Sequence, residues 1–190
     1  MNTLFITTYI RKELILWFFL SFLLILNGCS SIPKTSKKWP EKVLKKLSLR
    51  EKIAQMMIYR MHLKYGDINS KKWNEINKLI SSDGIGGIHL WSGDGSSSIA
   101  FMNKFQKQSK VPIIFDADIE RGLGQRFPAG TDFPPLMAIT ATGNTKNAYD
   151  IGRIVAIESR ALGLHWNLSP VVDVNNNPLN PIINTRSFSE

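Results

Sequence analysis

The sequence predicts an α/β protein with parallel strands, on three observations. Apolar runs of strand length alternate with amphipathic helical patterns, those runs are apolar on both faces, and the connections are long enough for helical crossovers. The alternation gives three β/α units. The first helix opens at Ser48-Leu49-Arg50-Glu51, a capping box in which hydroxyl and carboxylate satisfy each other's orphan backbone donors, and it carries Ile53, Met56 and Met57. A second helical pattern over 70–80 lines up Trp73, Ile76, Leu79 and Ile80 and breaks at Gly84. The run Gly86-Gly87-Ile88-His89-Leu90-Trp91 reads as a short buried strand, with Gly84, Gly86 and Gly87 there for close packing. A helix over 97–108, a strand over 111–117, a Pro- and Gly-rich loop through Pro135, a helix over 145–162 and a strand over 164–170 complete the pattern.

The N-terminal end carries a different signal. Arg11 and Lys12 precede an apolar run from Leu14 to Leu26, short for a bilayer span but the size of a signal-peptide core. It ends in Leu26-Asn27-Gly28-Cys29-Ser30, which resembles the lipobox of a bacterial lipoprotein. The expectation is cleavage of 1–28, a lipid on Cys29 and export to the cell envelope, anchored to a membrane and facing away from the cytoplasm. A lone cysteine forms no internal disulfide, which suits an anchor. Residues 29–40, rich in Ser, Pro, Thr and Lys, read as a flexible tether ahead of a domain at 41–190. Formal net charge is +9, and removing Arg11, Lys12 and Glu13 with the signal leaves +8. Outside the cell such a balance favours anionic headgroups or acidic wall polymers over nucleic acid.

The densest chemistry lies at the end of the strand over 111–117. Asp116, Asp118 and Glu120 are spaced by two, so a persisting strand puts them on one face, and the carboxyl ends of strands surround the site in parallel α/β folds. Arg126 follows and is placed to offset their charge. Three readings stand at this point. The acids bind sugar hydroxyls through charge-assisted hydrogen bonds, they hold a divalent metal, or Glu120 and Asp116 turn outward to pair with Arg121 or cap a turn.

The segment Asp118-Ile119-Glu120-Arg121-Gly122-Leu123-Gly124-Gln125-Arg126, with Ala129-Gly130-Thr131-Asp132-Phe133-Pro134-Pro135-Leu136-Met137-Ala138, resembles the Asp-x-Glu-x-Gly…Arg…Gly-Thr-x-Phe-Pro…Met-Ala signature of glycoside hydrolase family 3. Leu49 to Met56 is similar to the family's first helix. Ala161 to Val174 is similar to its third strand with the preceding helix end, and Arg186-Ser187-Phe188 to its Arg-Ser-Phe turn. The likeness covers nearly all of 39–190 and lies nearest to bacterial β-N-acetylhexosaminidases, with a β-glucosidase-type member of the same family as the alternative.

That resemblance implies the first part of a (β/α)8 TIM barrel and an exo-acting, retaining glycosidase that needs no cofactor and takes the terminal sugar of a glycan, including cell-wall amino sugars. Asp118 matches the acid that hydrogen-bonds the sugar, and Arg126 and Arg186 match two basic residues of the same subsite. Asp173 falls in an Asp-Val turn where a structural role is expected. Leu123 stands where the family often has Arg. Retaining hydrolysis needs a nucleophilic carboxylate and a proton donor. The family's segments for both, and its sugar-binding Lys-His pair, match nothing before Glu190. The chain is therefore expected to hold no catalytic residue, to be truncated and marginal in stability, and to be inactive alone, with a separate chain completing the barrel.

Two other classes remain beside it. One is a non-catalytic envelope lipoprotein that grips wall glycans through Asp118, Arg126 and Arg186; the other is a metal enzyme built on Asp116 and Asp118. His62, His89 and His165 lack metal-ligand spacing and read as packing or surface residues. Trp39, Trp73, Trp91 and Trp166 are candidates for sugar stacking, with core packing preferred for Trp73 and Trp166. Asn175-Asn176-Asn177-Pro178 and Asn180-Pro181 are turn chemistry that shapes a sugar-facing loop. No phosphate-binding glycine loop or Ser-His-Asp hydrolase motif is present.

Overall fold

A computed structural model describes residues 35–63 and 70–190. The expected signal segment 1–28 and the expected lipid site Cys29 lie outside the described residues, and among those described no helix is long and apolar enough to cross a membrane. The chain divides into two units, 1–46 and 47–190. Within the first, helix α1 (Thr35–Lys46) takes in the second half of the expected tether. Glu41 to Lys46 are mostly strong helix formers, which carry the helix past the interior Pro40.

The second unit is built on four parallel strands in the order β1-β2-β3-β4. Helix α2 (Leu49–Ala54) begins at the expected capping box, with Ser48 Oγ accepting from Glu51 N–H and the Glu51 carboxylate accepting from Ser48 N–H at 2.9 Å. That backbone bond, the Ser48 hydroxyl and Lys110 hold the Glu51 carboxyl down at about 2. The helix is shorter than its apolar pattern, leaving Met56 and Met57 exposed. Strand β1 (Ile58–Leu63) follows, and it is one strand more than the sequence reading gave. Its alternation buries Met61 and Leu63 and turns Arg60 and His62 outward, a half-buried pattern rather than the doubly apolar run that marks the other strands.

Three crossovers link the strands. Ser70 caps α3 (Lys71–Lys78), which runs on into a π-helical turn, Leu79–Asp83, closed by Gly84 in the left-handed region at φ 75°. Strand β2 (Gly87–Gly93) leads into α4 (Gly95–Gln108), and β3 (Ile114–Ala117) into a loop containing a 3-10 turn at Leu123–Gln125. A short helix the sequence did not announce, α5 (Leu136–Ala141), precedes α6 (Thr145–Leu162), which has the expected bounds between the Asn144 cap and left-handed Gly163. Strand β4 is only Trp166–Asn167, although a strand was expected over 164–170.

The core lies between one face of the sheet and the helices. Trp73 packs edge-on to Phe101 at 4.8 Å between ring centres and tilts over Phe105 at 5.1 Å, above Ile88, Leu90 and Phe115. The opposite face carries no helical layer among the described residues. Register places Ile58, Gly87 and Ile114 in one row of that face, where both isoleucines are exposed. Trp166, expected in the core, is 52% exposed on the same face, because β4 ends the sheet and nothing described packs beyond it.

One histidine joins the last two strands. His165 stacks on Phe115, and its Nδ1 accepts from Phe115 N–H at 3.1 Å, so the ring serves as the acceptor a backbone would supply. Burial and then Arg160 push its titration down. A depressed imidazole binds fewer protons folded than unfolded, so its contribution to stability is complete above the ordinary imidazole range and lost as pH falls through the lowered value. Melting followed from pH 7 to 5 should therefore show a steeper decline for the native chain than for His165→Asn, at about 2–4 °C for each kcal/mol.

Candidate functional site

The loop after β3 is folded back on itself by glycine and glutamine. Gly122, at φ 100°, leaves room only for hydrogen beside Thr131 O and the Phe133 ring. Gln125 Oε1 accepts from Glu120 N–H at 2.9 Å and Arg121 N–H at 3.1 Å, and Phe133 N–H donates to Arg121 O at 2.6 Å. This tight return brings Arg126 over the end of β3, where its Nε donates to Asp118 O at 3.0 Å. Leu123, at the place where the family often has Arg, is buried in the core and offers the site no charge.

A second arm comes from the C-terminal segment. Asx turns form where Leu179 N–H donates to Asn177 Oδ1 at 3.1 Å and Ile182 N–H to Asn180 Oδ1 at 2.9 Å, matching the turn chemistry expected there. The segment ends in a 3-10 turn, Asn184–Arg186, from which Arg186 reaches across 66 residues to Glu120. Its Nε and Nη2 donate to the two carboxylate oxygens at 3.0 and 2.7 Å, a fork on fork, and Glu120 raises the guanidinium's already high proton affinity. Asp173 contributes through its backbone oxygen, 2.8 Å from Ser187 Oγ, and this fixes the turn that carries Arg186.

The result is a cleft of about 400 Å³ lined by Trp91, Asp118, Glu120, Arg121, Gln125, Arg126, Pro135, Leu136, Thr185 and Arg186. Asp118, Arg126 and Arg186, named from the sequence, share it. Glu120 turns inward to Arg186 rather than outward to Arg121, whose guanidinium stands 3.8 Å from Asp132. Asp118 differs from its neighbours. Its nearest cationic partners, Arg126 Nη2 and His89 Nε2, stand 3.9 Å away and both face Oδ2, so the carboxylate, 30% exposed, keeps lone pairs for a ligand.

Trp91 is removed from the stacking candidates. The Arg60 guanidinium lies 3.8 Å over its ring and that of Arg126 4.2 Å, so a cation stacks on the ring from each residue. Trp73 is core, as expected. Asp116 turns away from the cleft and is fully buried against His89, which sequence spacing alone did not reveal. No group of three or more metal-ligand side chains occurs among the described residues. A larger apolar groove of about 530 Å³ lies along α6 and β4, lined by Ile139, Val155, Leu164, Trp166 and Phe188, with little polar chemistry to perform.

Comparison with known proteins gives concordant matches. The glycosyl hydrolase family 3 N terminal domain matches residues 48–190. A β-N-acetylglucosaminidase/β-glucosidase of Cellulomonas fimi is 35% identical over 104 residues, covering 55% of this chain and 18% of that protein. β-Hexosaminidase A of Pseudoalteromonas piscicida is 34% identical over 129 residues, covering 61% and 22%. The chain thus spans about a fifth of the curated relatives it matches. Among solved structures, β-glucoside phosphorylase BglX bound to 2FGlc superposes with a TM-score of 0.72 at 25% identity, over 83% of this chain and 28% of that one. NagZ from Neisseria gonorrhoeae in complex with N-trifluoroacetyl-D-glucosamine shares the fold, with a TM-score of 0.53 at 20% identity over 70% of this chain and 41% of that one.

Proposed function

This chain belongs to glycosyl hydrolase family 3 through its N-terminal domain, and from that premise we propose that the cleft at the end of β3 binds the terminal sugar of a β-linked glycan, with amino sugars preferred, for an exo-acting, retaining glycosidase. The observation that carries this reading is the convergence of Asp118 and Arg126 from the loop after β3 and Arg186 from the C-terminal segment on one cleft, with Asp118 left without a close partner. A carboxylate of that kind accepts from adjacent hydroxyls. The Arg126 guanidinium, held by Asp118 O and the Trp91 ring, presents its remaining donors in a fixed plane. Arg186, tied to Glu120, closes the opposite wall.

Hydrolysis with retention requires a carboxylate to attack the anomeric carbon and a second group to protonate the leaving oxygen. The described acids around the cleft have other work: Glu120 is held by two arginine nitrogens, Asp116 is buried on His89, and Asp118 faces the hydroxyls. None of these described acids is left to act as nucleophile or proton donor, so the described residues form the sugar-binding part of the site. The lipobox-like run ending at Cys29 supports export to the cell envelope, where wall amino sugars are the available glycans. Titration of the isotope-labelled chain with N-acetylglucosamine should shift the amides of Asp118, Arg126 and Arg186, and p-nitrophenyl N-acetyl-β-D-glucosaminide should stay uncleaved. Unshifted amides would remove the binding reading; cleavage lost in Asp118→Ala would show that the chain carries catalytic groups beyond these acids.

A further inference from the structure

Beneath the cleft, the helix-free face of the sheet holds a row of side chains unlike a barrel interior. Register pairs Arg60 with His89, His89 with Asp116, and Asp116 with Trp166, so one line crosses all four strands. Layers at that level of an α/β barrel are dominated by branched apolar residues. Here the middle of the row is an imidazole and a carboxylate, with His89 Nδ1 2.5 Å from Asp116 Oδ1. Asp116 is wholly buried, and its Oδ2 has no hydrogen-bond partner among the described residues. The other side of the same imidazole looks at the site: Nε2 is 3.9 Å from Asp118 Oδ2.

The position of one proton decides what this arrangement does. An ionised Asp116 paired with a neutral imidazole would put the hydrogen on Nδ1, leave Nε2 as a bare acceptor facing the Asp118 carboxylate, and bury a charge whose second oxygen is unsatisfied. One more proton on the pair would remove the first cost in either form, and the second as well when it rests on Asp116. Written as carboxylic acid with Nε2–H imidazole or as carboxylate with imidazolium, the dyad is then neutral overall and Nε2 carries a hydrogen. Burial, the largest influence on Asp116, favours its protonated form, while His89 opposes it and Asp118 adds to it. The charged groups around His89 are Arg60 on β1, Asp116 on β3, Asp118 just past its end, and Arg126 from the following loop, which faces the same Asp118 oxygen at 3.9 Å.

The geometry points to His89 as a positioning residue: held by Asp116 in a net-neutral dyad, it turns Nε2–H toward Asp118 Oδ2 at 3.9 Å, beyond hydrogen-bond reach but close enough to bias that carboxylate electrostatically, beside Arg126, so that Oδ1 faces the sugar. This rests on the reading of Asp118 as the sugar-binding acid. It adds a pH dependence. When the dyad loses its extra proton as pH rises, Nε2 becomes an acceptor, Asp118 is repelled, and sugar affinity falls. In Asp116→Asn the amide N–H₂ donates to Nδ1 as the protonated acid would, so Nε2–H persists and the high-pH loss disappears.

Two measurements on the full chain test this separately. Long-range ¹H–¹⁵N spectra of the histidine rings, assigned with His89→Gln, should show a protonated Nε2 on His89 at pH 7 in both the native chain and Asp116→Asn; a bare Nε2 in the native chain overturns the dyad whether or not sugar binds. N-acetylglucosamine titrations across the pH range in which the chain stays folded should show native affinity falling as pH rises, with Asp116→Asn flat and within about twofold of the native low-pH value, and Asp116→Leu weak throughout. Equal pH profiles for native and Asp116→Asn chains overturn the positioning role. Native chain that binds no sugar at any pH, with Nε2 protonated, removes the sugar reading and leaves the dyad standing.

Discussion

Asp118→Ala is expected to lower affinity for N-acetylglucosamine by about 100-fold or more without lowering the melting temperature. Hydrogen bonds to a charged acceptor contribute about 1.5–3 kcal/mol each, and a sugar that bridges the carboxylate with two hydroxyls loses both. At 1.4 kcal/mol per factor of ten, that is about two to four powers of ten. Stability should not follow, because the side chain is partly exposed and its nearest cationic nitrogens stand at 3.9 Å, so no tight pair is broken. Removing the carboxylate also relieves Arg126 of little, since its firmest bond is to the Asp118 backbone oxygen, which the substitution keeps. Calorimetric titration with a parallel melt decides the matter. An affinity within twofold of native would show that Asp118 does not face the sugar, and a collapse in melting would show a structural residue instead.

Gly86→Ala is expected to have the largest effect on folding. Gly86 sits where α2 hands over to the sheet: its N–H donates to Ala54 O at 3.1 Å and its carbonyl accepts from Ile114 N–H at 2.9 Å. A Cβ added there lands on the carbonyl oxygen of Gln55, backbone against backbone, so no side chain can rotate aside. The contact rather than the backbone angle is what demands glycine. Overpacking of this kind costs about 1–3 kcal/mol and more where neither partner can yield, and both partners here are pinned by hydrogen bonds. Gly152→Ala supplies the control, since α6 has open space at that position and alanine favours helix. Gly86→Ala should lower the melting temperature by about 5 °C or more, while Gly152→Ala should hold or raise it. A Gly86→Ala chain that melts like the native one would mean that α2 does not approach β2 this closely.

The helices were legible because their determinants are local. The Ser48 and Glu51 box, the Asn144 cap and left-handed Gly163 each act within a few residues, so the sequence places the start of α2 and both ends of α6 correctly. Strand β1 was not legible, because Arg60 and His62 interrupt its apolar character and only the buried partners on β2 make Tyr59-Arg60-Met61 a strand. The same division runs through the site. Asp118 and Arg126 lie eight residues apart on one loop and could be associated from the sequence, and the family resemblance added Arg186. Glu120's partner is 66 residues away and His89 meets Asp116 across 27.

By itself, then, the sequence determined the α/β class, the helices α3, α4 and α6, the family and the polar end of β3, since hydropathy period, capping and turn residues are properties of short segments. Tertiary structure alone decided which acid each base would meet, that Trp91 is covered by guanidinium while Trp166 is exposed, and that Asp116 is buried while Asp118 is open. The reason is register. One residue of slip along β2 or β3 leaves every local preference satisfied, yet it turns each side chain to the other face of the sheet.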